Sequence, residues 1–173
     1  MSKKNIKFLI LDVDGTLTDG KIYMGNEGEV LKAFDIKDGC GIHDILIPSG
    51  IVPIIITGRV SEIVKNRCKE LGITVIHQGV KNKIEKLDEV LKEFSDIFFE
   101  NNNKYVRYEY KHCAYCGDDI NDLSCMEPIK NSGGLIGCPS DAVKQVKEIS
   151  DFISNYKGGN GAVREFIEWI LEY

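Results

Sequence analysis

Apolar residues along this chain follow two alternating periods. Apolar runs at 6–11, interrupted only by Lys7, and at 51–56 read as strands buried on both faces. Between them the spacing becomes helical, most plainly at Ile84, Leu87, Val90, Leu91 and Phe94. The runs 21–24 and 30–34 flank Gly25-Asn26-Glu27-Gly28 and predict a β-hairpin. A short helix is expected at 41–46, stopped near Pro48-Ser49-Gly50. Ser61 caps a helix running to about Leu71, which Gly72 closes. Strands at 74–76, 112–116, 135–136 and 152–153 alternate with helices at 83–94, 121–126 and 142–146. Gly158-Gly159-Asn160-Gly161 reads as a flexible break before a last helix at 162–171. Alternating strands and helices predict an α/β fold, a Rossmann-like three-layer sandwich with a mainly parallel sheet. The hairpin, about 19–35, is its small insertion, and no large cap domain is expected. Residues 96–111 break the pattern, mixing Asn101-Asn102-Asn103 with Tyr105, Tyr108 and Tyr110. They read as an insertion, about 95–111, with a hairpin around the Asn run.

Composition narrows the class. The 173 residues suffice for one full core, and no repeat or linker divides them, so a single domain over 1–173 is expected. Net charge is −5 and the isoelectric point about 5.3, which argues against a nucleic-acid-binding surface. No apolar run approaches the roughly 20 residues of a membrane span. No signal-peptide core precedes the first strand, so a cytoplasmic location is expected. Six cysteines should then be reduced. Cys113 and Cys116 form a C-x-x-C, but on a strand residues three apart face opposite ways. They read as packing groups, not as half of a zinc site.

Candidate chemistry gathers at strand ends. The first strand runs into Asp12-Val13-Asp14-Gly15-Thr16, delivering two carboxylates to its carboxyl end. Two negative charges this close need a cation, a shared proton or both. Thr57 ends the second long strand, Lys83 opens a helix, and Asp118-Asp119 with Asp122 follow the strand at 112–116. Lys81 and Lys86 are near rivals of Lys83, which spacing from Gln78-Gly79 favours. Carboxylates to attack and to hold Mg²⁺, with a hydroxyl and a lysine for the phosphoryl oxygens, form an inventory for phosphoryl transfer to aspartate. A phospho-accepting receiver domain uses similar groups. In receivers, however, the accepting Asp follows a mid-chain strand, where this chain has Thr57.

In their order, Asp12-x-Asp14-Gly15-Thr16-Leu17, Thr57-Gly58-Arg59, Lys83 and Gly117-Asp118-Asp119-Ile120-Asn121-Asp122 resemble the four motifs of the haloacid-dehalogenase-like phosphatases. A narrower likeness spans nearly the whole chain outside 96–111. It rests on Thr18-Asp19-Gly20, Phe34-Asp35-Ile36-Lys37-Asp38-Gly39, Arg67, Gln78-Gly79 and Gly158-Gly159-Asn160-Gly161-Ala162-Val163-Arg164-Glu165. These are similar to the phosphatases of 3-deoxy-D-manno-octulosonate 8-phosphate and their relatives acting on nine-carbon keto-sugar acid phosphates.

The resemblance implies roles. Asp12 would be the nucleophile and Asp14 the acid and base. Mg²⁺ would sit on the Asp12 carboxylate, the Asp14 carbonyl and Asp118, with Asp119 and Asp122 in support. Thr57 and Lys83 would bind the phosphoryl group. Asp14, Asp35, Ile36, Lys37, Asp38, Gly39, His43, Arg59, Arg67, Lys83 and Asn121 would contact a small sugar phosphate. His43 stands where relatives often carry arginine. Relatives are homotetramers built on the hairpin, in which a residue like Arg164 reaches a neighbouring site.

Overall fold

A computed structural model describes residues 5–102 and 106–172. In chain order the elements are β1 (Phe8–Leu11), β2 (Tyr23–Gly25), β3 (Gly28–Leu31), α1 (Ile36–Cys40), β4 (Val52–Ile56), α2 (Glu62–Glu70) and β5 (Val75–His77). There follow α3 (Lys83–Asn102), β6 (Cys113–Cys116), α4 (Leu123–Asn131), β7 (Leu135–Cys138), α5 (Lys144–Ile149), β8 (Phe152–Ile153) and α6 (Ala162–Glu172). Six strands form one sheet in the order β5-β4-β1-β6-β7-β8, and every pairing in it is parallel. The chain winds outward from β1 through β4 to β5, then returns to β6 beside β1 and winds the other way. The reversal opens a crevice at the carboxyl ends of β1 and β6, where α/β folds place ligands.

Both faces of the central strands are covered, so β1, β4, β6 and β7 are buried and largely apolar. Leu9, Leu11, Ile55, Ala114 and Cys116 pack toward α2 and α6. Phe8, Ile10, Ile54, Tyr115 and Ile136 pack toward α3, α4 and α5. Cys113 and Cys116 therefore lie in opposite cores, which excludes a shared metal, and all six cysteines are free. β2 and β3 pair antiparallel as a separate hairpin, closed at its base by a Thr18–Phe34 bridge.

Several segments depart from the pattern-based expectation. Residues 36–40, for which the pattern gave no element, are helical. Asp35 caps α1, its Oδ1 accepting from the Lys37 N–H at 2.6 Å, and α1 continues into a π-helical turn over Gly41–Leu46. Glycines allow the close packing there. A Cβ on Gly39 would lie 2.3 Å from Arg67 Nη2, and one on Gly41 2.8 Å from Arg164 Cδ. The expected hairpin around the Asn run is replaced by helix. α3 runs on to Asn102. Asn103 and Tyr105 lie outside the described residues. The chain returns beside α3, with the Tyr108 N–H donating to Ser95 Oγ at 2.9 Å and its ring edge-on to Phe8. Nor are residues 158–161 a flexible break. The Gly158 N–H donates to Asp141 Oδ1 at 3.0 Å and the Gly159 N–H to the Thr16 carbonyl at 3.1 Å.

Candidate active site

The crevice is built first by the loop after β1. The Asp12 N–H continues the sheet ladder to the Cys116 carbonyl at 3.1 Å. The chain then folds over the Val13 carbonyl, which accepts from the N–H groups of Thr16, Leu17 and Thr18 at 3.2, 2.9 and 3.0 Å. Gly15 makes that turn at φ +95°, a conformation L side chains rarely adopt. Close approach demands glycine as well, since a Cβ there would lie 2.1 Å from Asp118 Oδ2.

Asp12 is buried, and Lys83 at the start of α3 places its Nζ 2.8 Å from Asp12 Oδ1 and 2.8 Å from Asp122 Oδ1. Asp122 is wholly enclosed. The Tyr115 hydroxyl donates to its Oδ1 at 2.7 Å, and the N–H groups of Asp118 and Asp119 donate to its Oδ2 at 3.1 and 3.2 Å. Both Asp122 oxygens are therefore engaged inside the protein, in holding Lys83 and shaping the loop after β6. Asp118 is half-buried, its Oδ1 accepting from the Thr16 hydroxyl at 3.0 Å. Asp119 is exposed and caps the next turn through the Ile120 N–H.

Charge is crowded here. Burial, then the charge of Asp122, pushes Asp12 up to about 6, against the pull of Lys83. Burial, then the charge of Asp12, raises Asp118 to about 7. Burial alone would lower Lys83, but Asp12 and Asp122 outweigh it and hold the ammonium above its ordinary value. One oxygen each from Asp12, Asp118 and Asp122 lie within 4.8 Å of one another. Hard carboxylate oxygens so placed suit Mg²⁺. Since Asp122 is already committed, Asp12 and Asp118 are the groups free to hold such an ion.

The remaining candidates are held by contacts of their own. Thr57 is buried beyond β4, its N–H donating to the His77 carbonyl at 3.0 Å. Asp14, half-buried, pairs with Lys32 and has Arg59 Nε 3.9 Å from its Oδ2. Arg67 lies over the Phe34 ring, with Nη2 3.5 Å from the Asp35 carbonyl. Ile36 is strongly exposed, and Lys37 stands 6.0 Å from the Tyr156 ring centre. The Asp38 carboxylate is buried, accepting from the N–H groups of Arg164 and Gly161 at 2.8 and 3.2 Å, which ties α1 to the start of α6. Arg164 turns to Glu168 at 2.6 Å. His43 is exposed and pairs with Asp44 at 2.6 Å. Asn121 is exposed in the turn after Asp119. Sequence reasoning missed Thr16, Lys32 and Tyr115. Thr16 stood within a quoted motif, and Tyr115 was the one hydroxyl in an otherwise apolar strand. Lys32 gave no signal, because charge on a hairpin ordinarily faces solvent.

A buried Asp–Lys–Asp cluster beside a second carboxylate, at the reversal point of a parallel sheet, defines a phosphatase of the haloacid-dehalogenase kind. Known proteins agree. No family model matches the chain. It is 42% identical over 168 residues to the 3-deoxy-D-manno-octulosonate 8-phosphate phosphatase KdsC of Escherichia coli K12, covering 97% of this chain and 80% of that one. A crystal structure of the 3-deoxy-D-manno-octulosonate 8-phosphate phosphatase of Moraxella catarrhalis, in complex with magnesium ion, phosphate ion and KDO, is 40% identical with a TM-score of 0.84. It covers 98% of this chain and 88% of that one. A probable YrbI family phosphatase from Pseudomonas syringae is 38% identical with a TM-score of 0.85, covering 98% and 87%. The chain belongs to the 3-deoxy-D-manno-octulosonate 8-phosphate phosphatase family of the haloacid-dehalogenase superfamily.

Proposed function

We propose that this protein is a Mg²⁺-dependent phosphatase releasing phosphate from 3-deoxy-D-manno-octulosonate 8-phosphate through a phospho-aspartate on Asp12. The observation that carries the reading is the Asp12–Lys83–Asp122 cluster in a chain so similar to KdsC along its length. Asp12 Oδ2, the oxygen not engaged by Lys83, attacks phosphorus as the bond to the sugar oxygen breaks. Asp14 gives that oxygen a proton, then takes one from the water that attacks the phospho-aspartate. Lys83, with Asp122 behind it, and Thr57 hold the phosphoryl oxygens. Mg²⁺, when bound by Asp12, Asp118 and the Asp14 carbonyl, supplies positive charge to those oxygens. Asp35, Ile36, Lys37, Gly39, Arg59, Arg67 and Asn121 line the sugar's approach. Asp38 acts on that rim by fixing α1. Asp119 shapes the turn that carries Asn121, and His43 stands at the outer edge.

A single domain, a cytoplasmic location and a homotetramer belong to the same proposal. Among the described residues no helix is long and apolar enough to cross a membrane. The acidic charge supports the absence of a nucleic-acid partner. The deciding experiment measures phosphate release with Mg²⁺ from the octulosonate 8-phosphate, a nonulosonate 9-phosphate and hexose phosphates. The eight-carbon acid should be preferred, and Asp12→Asn should fall to background while remaining folded. Near-normal turnover by that variant would refute the mechanism, and preference for the nine-carbon acid would replace the substrate.

A further inference from the structure

The site described above leaves a second buried cation unexplained. Lys32 follows β3 directly, and its side chain is only 1% exposed although Leu31 and Ala33 beside it are exposed. Its ammonium pairs with Asp14 Oδ1 and lies 3.0 Å from Glu29 Oε1. Glu29 is held in turn, accepting from the hydroxyl of Ser61, which caps α2, and standing 3.5 Å from Arg59 Nη2. Ser61 is itself fixed, its N–H donating to Gln78 Oε1 at 2.7 Å. A continuous polar chain therefore runs from α2 through the hairpin to Asp14.

A buried ion cluster of this kind seldom repays its desolvation as stability, but it does select one arrangement. The group arranged here is Asp14, which sits in a loop and lacks the enclosure that fixes Asp12 and Asp122. Among the described residues its ion pairs are with Lys32 and Arg59. We infer that Lys32, braced by Glu29, is the positioning residue for Asp14. It holds Oδ1 and leaves Oδ2 to exchange protons with the leaving oxygen and then with water. The inference rests on the acid–base reading of Asp14 given above. Lys32 neither gains nor loses a proton in the cycle. The Asp14 O–H bond breaks as the sugar O–H bond forms and the P–O bond to the sugar breaks, and water later returns the proton. The hairpin thus has a task inside its own subunit, apart from any assembly it supports.

The test uses the Mg²⁺-loaded enzyme in excess over substrate and follows release of the leaving group alone. 3-Deoxy-D-manno-octulosonate 8-phosphate needs a proton on its departing oxygen, whereas p-nitrophenyl phosphate expels a stable phenolate without one. Lys32→Met should slow sugar release at least about tenfold, a part of the roughly 10²–10⁴-fold that general acid catalysis contributes. Nitrophenolate release should change less than about twofold, and the enzyme concentration giving half the maximal rate of sugar release should barely move. Lys32→Arg should recover most of the loss. Glu29→Gln should show a weaker loss with the same selectivity, and it carries the test if Lys32→Met does not fold. Equal losses on both substrates, or none on either, would overturn the inference and reduce Lys32 to a hairpin anchor. Asp14→Asn, run alongside, separates the levels. If it loses sugar release selectively and the Lys32 variants do not, only the positioning role fails. If it shows no selectivity, the acid role of Asp14 fails and takes this inference with it.

Discussion

Asp122 illustrates how one side chain can serve a site without facing its substrate. It accepts from Lys83, Tyr115 and two backbone N–H groups, with no exposure to water. Removing it leaves the buried Lys83 ammonium to Asp12 alone and strips the Tyr115 hydroxyl and two backbone N–H groups of their acceptor, and breaking a buried pair costs about 3–5 kcal/mol. We expect Asp122→Ala to lose about 3 kcal/mol in urea unfolding and to lose activity with it. A loss below about 0.5 kcal/mol would show that Asp12 and water satisfy the groups Asp122 holds. At this scale the meeting of Asp12, Lys83, Asp118 and Asp122 was legible, because phosphoryl transfer needs those residue types at strand ends and the motifs fall in order. The division of labour among the acidic groups was not. Whether Asp118 or Asp122 keeps oxygens free depends on Tyr115 and on backbone N–H groups that only the folded loop brings near.

Elements were legible where their period was long and unbroken. β1, β4, α2 and α6 lie close to where the apolar spacing put them, since burial on both faces of a sheet leaves little choice of residue. Short segments governed by distant partners were not. Residues 35–39 offered no pattern from which a helix could be read, and the glycines at 39 and 41 find their reason only in packing on Arg67 and α6. The join between α1 and α6 passes through Asp38, which burial pushes from the ordinary 3.8 up to about 6 against the N–H groups of Arg164 and Gly161. Because its folded pKa is the higher one, this group's contribution to stability is full below about 4 and is lost as pH rises through about 6. Two units correspond to about 3 kcal/mol. Asp38→Asn should flatten the stability profile between about pH 4 and 7 by roughly that amount, read by denaturant unfolding at both ends. An unchanged slope would mean that water reaches the carboxylate.

At the scale of the molecule, the parallel sheet followed from the alternating periods and the site's place at strand ends from the motifs, whereas the strand order, and with it the reversal point beside β1, did not. Assembly is less directly written. Ile22, Met24, Val30 and Leu31 leave 52, 62, 60 and 46% of their surfaces exposed on the hairpin. So much apolar area on one small element marks a contact surface. Light scattering should give the mass of four chains, and Met24→Lys with Val30→Lys should shift it toward one. A wild-type monomer would remove assembly from the proposal.

The glycine tail joins the two ends of the chain. Gly158 approaches the Gly15 carbonyl so closely that a Cβ there would lie 1.9 Å from it, and Gly159 bonds to Thr16. The wall of the nucleophile's loop is thus supplied by residues synthesised more than a hundred positions later. A ribosome-bound chain could pair β1 with β4 and β6 and still lack a competent active site. Activity must be acquired late and together with the docking of α6, which carries Trp169, the chain's single tryptophan. Recovery of tryptophan emission and of turnover during refolding should therefore share one rate. Emission recovering well ahead of turnover would mean that the loop closes after the tail has docked.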